Sequence, residues 1–189
     1  MKFTKMHGCG NDYVYVNLFE EKLDDPARVS IYVSDRHFGI GSDGLITIGP
    51  SGKADFRMRI YNADGSEAEM CGNGIRCVAK YVYDHKLTDK TEISVETGAG
   101  IKYLTLYVEE NKVSQVRVDM GEPILTPGDI PVVKADGSAY SDDYRVIDEP
   151  ISAGNREWHM TCVSMGNPHA IIRLHNLEDI NVKEYGPLI

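Results

Sequence analysis

A helical stripe of apolar residues lies near the middle of the chain, directly after a polar stretch that contains glycine. The apolar side chains fall at Ile75, Val78, Ala79 and Val82. This is the i, i+3, i+4, i+7 spacing of a helix that packs one face against a core. The pattern therefore predicts a buried helix that begins just after Cys71.

Alternating apolar and polar residues predict strands on both sides of this helix. In the strand predicted over residues 55–61, one face is apolar and buried (Phe56, Met58, Ile60) and the other faces solvent (Arg57, Arg59, Tyr61). Further strands are predicted at residues 2–7, 12–18, 45–49, 92–96, 101–108 and 112–119, with a hairpin turn at 109–111. The expected fold class is α+β, a mostly antiparallel sheet wrapped around one central helix.

A second, shorter helix is predicted to begin at Pro26. Asp25 is its expected N-cap residue, because aspartate before a proline at the first helical position is a typical helix start. Val29, Tyr32 and Val33 are predicted to form its apolar stripe, and the helix is expected to end near residues 36–39.

The amino-acid composition changes at Met120, where prolines become frequent and a polar stretch follows. We therefore predict two domains, residues 1–119 and residues 120–189. In the second domain, strands are predicted at residues 157–165 and 170–174. A tight connection is expected between them at residues 166–169.

The composition narrows the classes of partner. Twenty basic residues against 29 acidic residues give a net charge of −9, which argues against nucleic acid or an anionic membrane as a partner. No run of about 18 apolar residues is present to span a membrane. The N-terminus lacks an apolar signal core, so we predict a cytoplasmic protein. The four cysteines form no CxxC pair, and reduced thiols are expected.

Cys71 is the candidate for chemistry. The unpaired N–H groups and positive dipole end of a helix N-terminus favour a thiolate, and cysteines in such settings have pKa values lowered from about 8.5. Gly72 and Gly74 lack a Cβ atom, so the same N–H groups can approach a ligand carboxylate closely. Cys77 lies on another face of the helix, beside Val78, and is predicted to be a core residue.

Four motifs extend over most of the chain and resemble those of the diaminopimelate epimerase family, in the family's order. They are Met6-His7-Gly8-x-Gly10-Asn11-Asp12, Arg36-x-x-Gly39-Ile40-Gly41-x-Asp43-Gly44, Asn62-Ala63-Asp64-Gly65-Ser66 followed by Cys71-Gly72-Asn73-Gly74-x-Arg76-Cys77, and Val163-Ser164-Met165-Gly166-Asn167-Pro168-His169. The resemblance implies two pseudo-equivalent domains of the diaminopimelate epimerase-like fold. It also implies cofactor-independent epimerisation of LL-2,6-diaminopimelate to the meso form, a step of lysine and peptidoglycan precursor biosynthesis, by a cytoplasmic homodimeric isomerase.

The resemblance also implies roles for individual residues. Cys71 is the implied acid/base, with His169 near the catalytic thiols. The residues expected to contact the substrate are Asn11, Asn62, Gly72, Asn73 and Asn167. Many relatives carry Gln where this chain has Gly44, so no role is assigned to Gly44. No cofactor or metal is implied.

The family's second catalytic cysteine has no counterpart in this sequence. It lies in a Cys-Gly-rich turn of the second domain, whereas Cys162 falls inside a predicted strand and Cys9 matches a position outside the catalytic pair. We therefore expect a truncated chain whose second domain is incomplete, with weak substrate binding and little or no epimerase activity of its own.

Three other interpretations stay open at this point. The first is a related PLP-independent amino-acid racemase of the same two-domain fold, such as a proline racemase-like protein. Without a second thiol the chain is also compatible with a noncatalytic amino-acid-binding remnant. A metal site built from His7, Cys9, Cys71 and His169 is the third, and no zinc-type spacing of ligands supports it.

Overall fold

A computed structural model describes residues 1–189, apart from the side chain of Asp179. The chain divides into two compact units, Met1–Met120 and Gly121–Ile189. Each unit has its own hydrophobic cluster: two clusters belong to the first unit and one to the second. The units are described separately below.

The first unit contains eight strands and two helices. The strands are β1 (Thr4–Gly8), β2 (Asn11–Asn17), β3 (Gly44–Gly49), β4 (Phe56–Asn62), β5 (Glu67–Ala68), β6 (Glu92–Thr97), β7 (Gly100–Glu109) and β8 (Lys112–Asp119). The helices are α1 (Pro26–Ser34) and α2 (Gly72–Asp84). The predicted start of α1 is confirmed, because the Asp25 side chain accepts a hydrogen bond from the Arg28 N–H.

The strands of the first unit form one mixed sheet in the order β1-β2-β3-β4-β6-β7-β8, with β5 paired to β4. Most neighbours are antiparallel, but β2 pairs with β3 and β4 with β6 in parallel. These two parallel pairs follow from the connections: α1 lies between β2 and β3, and α2 lies between β4 and β6. The α+β class predicted from the sequence is confirmed.

Helix α2 occupies the concave side of this sheet. It contacts strands at both ends of the strand order, β1 and β8, as well as β2 and β7. Its apolar stripe of Ile75, Val78, Ala79 and Val82 is fully buried, as predicted, and Cys77 is buried beside it. The helix is therefore held over most of its length, and its N-terminal end has a fixed position relative to the strands.

Helix α1 covers the opposite side of the sheet, and here two predictions are wrong. Tyr61 was expected to face solvent, but it is only 4% exposed because it packs in a second cluster with Val14, Val16 and Leu45 under α1. Tyr32 was expected in the buried stripe, but it is 64% exposed. Buried Ser30 faces the sheet instead, where its hydroxyl donates to the Tyr61 and Asn62 carbonyl oxygens. The helix also ends earlier than expected, at Ser34.

The second unit contains a three-stranded antiparallel sheet in the order β11-β10-β9. The strands are β9 (Glu149–Ala153), β10 (Arg156–Ser164) and β11 (Pro168–Ile172). Strand β9 was not predicted, and the expected tight connection at 166–169 is shorter, because Pro168 and His169 already belong to β11. One short helix, α3 (Val182–Tyr185), follows. Among the residues that the structure describes, no helix combines the length and the apolar character needed to span a membrane.

Candidate active site

The candidate site begins at Cys71, the N-cap residue of α2. Its Sγ atom accepts a hydrogen bond from the Gly74 N–H at 3.2 Å, so the sulfur takes the place of the hydroxyl or carboxylate that usually caps a helix. A Cβ at position 74 would lie 2.6 Å from Ile46 Cδ1 and 3.3 Å from Cys71 Sγ, so glycine permits the close approach. The positive end of the helix dipole and one backbone amide therefore face the half-buried sulfur.

Asn11 lies directly against this sulfur. The Cys71 thiol donates to Asn11 Oδ1 at 3.3 Å, and the Asn11 Nδ2 group donates to Asp43 Oδ2 at 2.8 Å. Asn11 opens β2, immediately after the β1–β2 turn. A hairpin turn and a helix N-terminus, 60 residues apart in the chain, are thus joined by one side-chain contact.

A group of paired charges surrounds Asp12, the residue that follows Asn11 in β2. Arg36 donates to Asp12 Oδ1 at 2.8 Å and to Asp43 Oδ1 at 2.9 Å, and Lys5 lies 2.8 Å from Asp12 Oδ2. The Arg36 guanidinium first, and the Lys5 ammonium after it, hold the pKa of Asp12 well below its usual range. Asp12 is therefore a carboxylate over the whole neutral range.

The remaining titratable neighbours of Cys71 are buried and uncharged at neutral pH. Burial, with the charge that Cys71 would carry as a thiolate, raises the pKa of Tyr13 to about 12. Burial also raises the pKa values of Tyr15 and Cys77. None of these three groups therefore carries a negative charge that would repel a negative charge on the Cys71 sulfur.

Gly72 and Asn73 form the first turn of α2. Within the described part of the chain, their backbone N–H groups donate no hydrogen bond to a protein acceptor. This is usual for the first N–H groups of a helix. Arg76 donates to the Gly72 carbonyl oxygen at 2.9 Å and to Asn73 Oδ1 at 2.7 Å. The Asn73 side chain is therefore fixed from within the helix. The backbone amides are the groups left to bind an anion.

Asn62 lies at the same end of the sheet as Asn11. Across the sheet, Tyr13 pairs with Gly44 and Gly44 pairs with Asn62, so the start of β2 and the end of β4 are neighbours with β3 between them. The Asn62 Nδ2 group donates to Ser66 Oγ at 3.0 Å. At Gly44 a Cβ would lie 2.2 Å from the Tyr61 carbonyl oxygen, so the backbone leaves no room for a side chain there.

The second unit holds the remaining predicted site residues. Asn167 and His169 are exposed, and Asn167 Oδ1 lies 3.2 Å from His169 Nε2. Cys162 is buried within β10, and burial raises the pKa of its thiol. Roles for Asn167 and His169 in binding or catalysis stay predictions.

Sequence reasoning missed the residues behind Asn11. Arg36 and Asp43 belong to one of the recognised motifs, yet only the folded structure brings them to Asn11 and Asp12. Ion-pair partners separated by 24 residues leave no periodic trace, so their contact could not be predicted. Among the described side chains, no group of three or more His, Cys, Asp or Glu residues is arranged to hold a metal ion.

Comparisons with known proteins give close relatives for the sequence. The sequence profile described as diaminopimelate epimerase matches residues 3–126. The diaminopimelate epimerase of Agathobacter rectalis is 92% identical over 188 residues, which are 100% of this chain and 66% of that protein. The diaminopimelate epimerase of Methanococcus maripaludis is 58% identical over 188 residues, again 100% of this chain and 65% of that protein. The chain thus spans slightly less than two thirds of the length of these curated relatives.

Solved structures of low sequence identity share the fold. A hydroxyproline epimerase from Agrobacterium vitis superposes with a TM-score of 0.63 at 14% identity, covering 97% of this chain and 52% of that one. A PhzF-family phenazine biosynthesis protein from Bacillus anthracis gives a TM-score of 0.58 at 18% identity, covering 94% and 58%. At such identities the likeness concerns the fold alone.

Proposed function

This chain belongs to the diaminopimelate epimerase family, and from that premise we propose that its site serves the cofactor-independent epimerisation of LL-2,6-diaminopimelate to meso-diaminopimelate. Cys71 is the acid/base on one face of the substrate. The observation that carries the proposal is the position of its sulfur between the Gly74 N–H at 3.2 Å and Asn11 Oδ1 at 3.3 Å. The Cys71 sulfur therefore has a hydrogen-bond donor and a hydrogen-bond acceptor beside it, as an atom that takes up and releases a proton requires.

The reaction exchanges a proton on a carbon that bears an amino and a carboxyl group. As a thiolate, Cys71 takes the α-proton while the electron pair of the C–H bond stays on the substrate and spreads into the carboxylate. A second acid on the opposite face then returns a proton, which inverts the centre. The unpaired amides of Gly72 and Asn73 support this step, because they offer hydrogen bonds to the carboxylate as its charge increases.

Asparagine amides at one end of the sheet supply further substrate contacts in this proposal. Asn11 has its Nδ2 group committed to Asp43, so its free role towards a ligand is that of an acceptor, which suits an ammonium group. Asn62, at the end of β4, is half-exposed, and its side-chain amide can donate or accept a hydrogen bond to a ligand. Asn167 and His169 of the second unit remain part of the proposal through the family resemblance alone.

The second acid/base is not among the other cysteines of this chain. Cys77 and Cys162 are buried, and Cys9 is exposed in the β1–β2 turn. None of the three is an N-cap residue of a helix that the structure describes. We therefore propose that the 189-residue chain binds diaminopimelate weakly and inverts it slowly or not at all. Losing one acid or base typically costs about 10²- to 10⁴-fold in rate.

The test is proton exchange in deuterium oxide. The 189-residue chain is incubated with LL- and with meso-diaminopimelate, loss of the α-hydrogen is followed by NMR, and stereochemistry is followed by chiral chromatography. The proposal predicts slow exchange that Cys71→Ala abolishes and Cys9→Ala preserves, with little inversion. Inversion as fast as the exchange and dependent on Cys71 would contradict the proposal that the chain lacks the second acid. Exchange that survives in Cys71→Ala would contradict the role of Cys71.

Two alternatives have distinct outcomes in the same assays. Binding of diaminopimelate by calorimetry without Cys71-dependent exchange identifies a noncatalytic binding protein. Exchange on proline in preference to diaminopimelate identifies a different racemase.

Location and assembly complete the proposal. A cytoplasmic location agrees with the four free cysteines and the net charge of −9.

A homodimer is proposed from the family resemblance, and analytical ultracentrifugation of the chain tests it. A monomer at all concentrations measured would contradict it.

A further inference from the structure

We propose that Tyr13 is a positioning residue of the candidate site, which holds the Asn11 and Cys71 side chains at a fixed separation through its hydroxyl group, and that Gly44 makes room for its ring. The inference rests on the proposed function, which gives Asn11 and Cys71 their roles towards the substrate. It adds the residue that keeps these two side chains together.

Strand β2 directs the Tyr13 side chain to the side of the sheet on which α2 lies. Side chains two positions apart in a strand share a face, so Asn11, Tyr13 and Tyr15 are aligned. The two tyrosines belong to the hydrophobic cluster that includes the α2 stripe, and Cys71 packs against that cluster. The intervening valines lie in the cluster under α1. Tyr13 therefore faces α2 from the strand that carries Asn11.

Gly44 on the neighbouring strand leaves the space in which the Tyr13 ring lies. The two residues are partners in the parallel pair of β2 and β3. A Cβ atom at position 44 would lie 2.9 Å from Tyr13 Cε1, which is closer than such atoms approach in folded proteins. The edge of the ring thus occupies volume that a side chain at position 44 would need. We therefore infer that Gly44 serves the site by letting Tyr13 pack closely against β3.

The Tyr13 hydroxyl is hydrogen-bonded to two side chains, those of Asn11 and Cys71. Tyr13 is only 6% exposed, and a buried tyrosine hydroxyl normally has partners within the protein. Burial is the main reason that the pKa of Tyr13 is raised to about 12, so the hydroxyl keeps its hydrogen at neutral pH. It can therefore donate one hydrogen bond and accept another at the same time.

The three side chains form a closed triangle of contacts. Asn11 Oδ1 lies 3.3 Å from Cys71 Sγ, and the Tyr13 hydroxyl is bonded to both residues. Asn11 is also anchored from outside the triangle, because its Nδ2 group donates to Asp43 Oδ2 at 2.8 Å. A third member that bonds to both side chains removes rotations that one contact alone permits. Such positioning matters because misplacing a reacting group by about 1 Å can cost about 10²-fold in rate.

Tyr15 provides a matched control on the same face of β2. It is also buried, and its hydroxyl donates to the Gly74 carbonyl oxygen at 3.5 Å. Its side-chain hydrogen bond is to Cys77. Tyr15→Phe therefore removes a buried hydroxyl that lies next to α2 and whose partners are outside the triangle.

The first experiment observes Asn11 without any substrate. The side-chain amide signals of Asn11 are recorded by NMR of the ¹⁵N-labelled chain and assigned by their loss in Asn11→Ala, and the exchange of their hydrogens with water is measured. Tyr13→Phe keeps the ring against Gly44 and removes only the hydroxyl. The Asn11 signals should shift and exchange roughly three- to tenfold faster, the effect of one lost hydrogen bond. In Tyr15→Phe both should stay close to wild type.

The second experiment follows the Cys71-dependent loss of the diaminopimelate α-hydrogen in deuterium oxide. At a fixed diaminopimelate concentration, Tyr13→Phe should slow this loss roughly three- to tenfold, because one contact to the sulfur is missing. Tyr15→Phe should leave it close to the wild-type rate. Circular dichroism under the same conditions verifies that both variants are folded, so that unfolding does not account for the difference.

Asn11 signals that stay in place in Tyr13→Phe, or that move as much in Tyr15→Phe, would overturn the inference. A wild-type rate of α-hydrogen loss in Tyr13→Phe would overturn it as well. If Tyr13→Phe does not fold, the chain labelled with ¹³C at tyrosine Cζ decides. One tyrosine signal should then move in both Asn11→Ala and Cys71→Ala but not in Cys9→Ala, and the lack of such a signal contradicts the proposal.

The NMR measurements contain no diaminopimelate. They decide the inference about Tyr13 even where the wild-type chain exchanges no α-hydrogen and the proposed function fails. Failure of the proposed function and failure of this inference are therefore distinguishable.

Discussion

Asp12 stands at the centre of the charged residues that support the site. Its carboxylate has cations on two sides, Arg36 at 2.8 Å and Lys5 at 2.8 Å, and its side chain is only 17% exposed. The pKa of Asp12 is lowered in the folded protein, chiefly by Arg36. A carboxyl group whose pKa is lower in the folded than in the unfolded state stabilises the fold at neutral pH.

This linkage predicts a pH-dependent difference between the wild type and Asp12→Asn. Above the unfolded-state pKa of about 4 the carboxylate contributes fully, and its contribution is lost as the pH falls through the window below that value. The difference in unfolding free energy between wild type and variant should therefore shrink as the pH is lowered from neutral. Denaturant titrations at several pH values measure it, with Asp24→Asn, an exposed carboxylate paired with Lys22, as control. A difference that grows on acidification would contradict the linkage.

Helix α2 combines two functions at its first turn, since the sulfur that is proposed to take a proton also caps the helix. Serine is a better N-cap residue than alanine by about 0.5–2 kcal/mol. Cys71→Ser should therefore be more stable than Cys71→Ala by roughly 1 kcal/mol. Both variants lack the thiol, so the difference between them reports capping by the side chain. Urea denaturation measures the difference. The same pair of substitutions at exposed Cys9, which caps no helix, should differ less. Equal stability of the two Cys71 variants would show that the cap contributes nothing.

The elements that the sequence predicted well are those whose pattern is local. The stripe of α2, the Asp25-Pro26 start of α1 and the alternation in β4 depend on spacing along a few residues. The wrong predictions at Tyr61 and Tyr32 have a non-local cause, because α1 crosses the far side of the sheet and turns Ser30 towards it. An alternating strand covered on both faces cannot be recognised from its own residues.

The same distinction holds for the site. The sequence predicted that Cys71 lies at the start of a helix, because a polar, glycine-containing stretch precedes an apolar stripe there, and the structure confirms that position. Contact between Asn11 and Cys71 needs the packing of the β1–β2 turn on α2, where Gly8 closely approaches Asn73. Asp43 contacts Asn11, and Arg36 contacts Asp12 and Asp43, from the loop between α1 and β3. The position of that loop depends on how β2 pairs with β3, which sequence spacing does not encode.

At the scale of the whole chain, hydrophobic burial is divided between two units. Both clusters of the first unit, including the one around α2, lie within Met1–Met120. A segment with its own core is expected to fold independently. Residues 1–120 should therefore show native-like circular dichroism and one cooperative thermal transition. A segment that is unfolded or aggregates at all concentrations would contradict this expectation.

The most direct test of the account is whether diaminopimelate protects Cys71. The 189-residue chain is treated with iodoacetamide at increasing diaminopimelate concentration, and alkylation of Cys71 and Cys9 is measured in the same molecules. The account predicts that Cys71 reacts in the native protein, and that diaminopimelate slows its reaction in a saturable manner while Cys9 is unaffected. A Cys71 that is inert in the folded chain, or one that reacts equally fast with and without diaminopimelate, would contradict it.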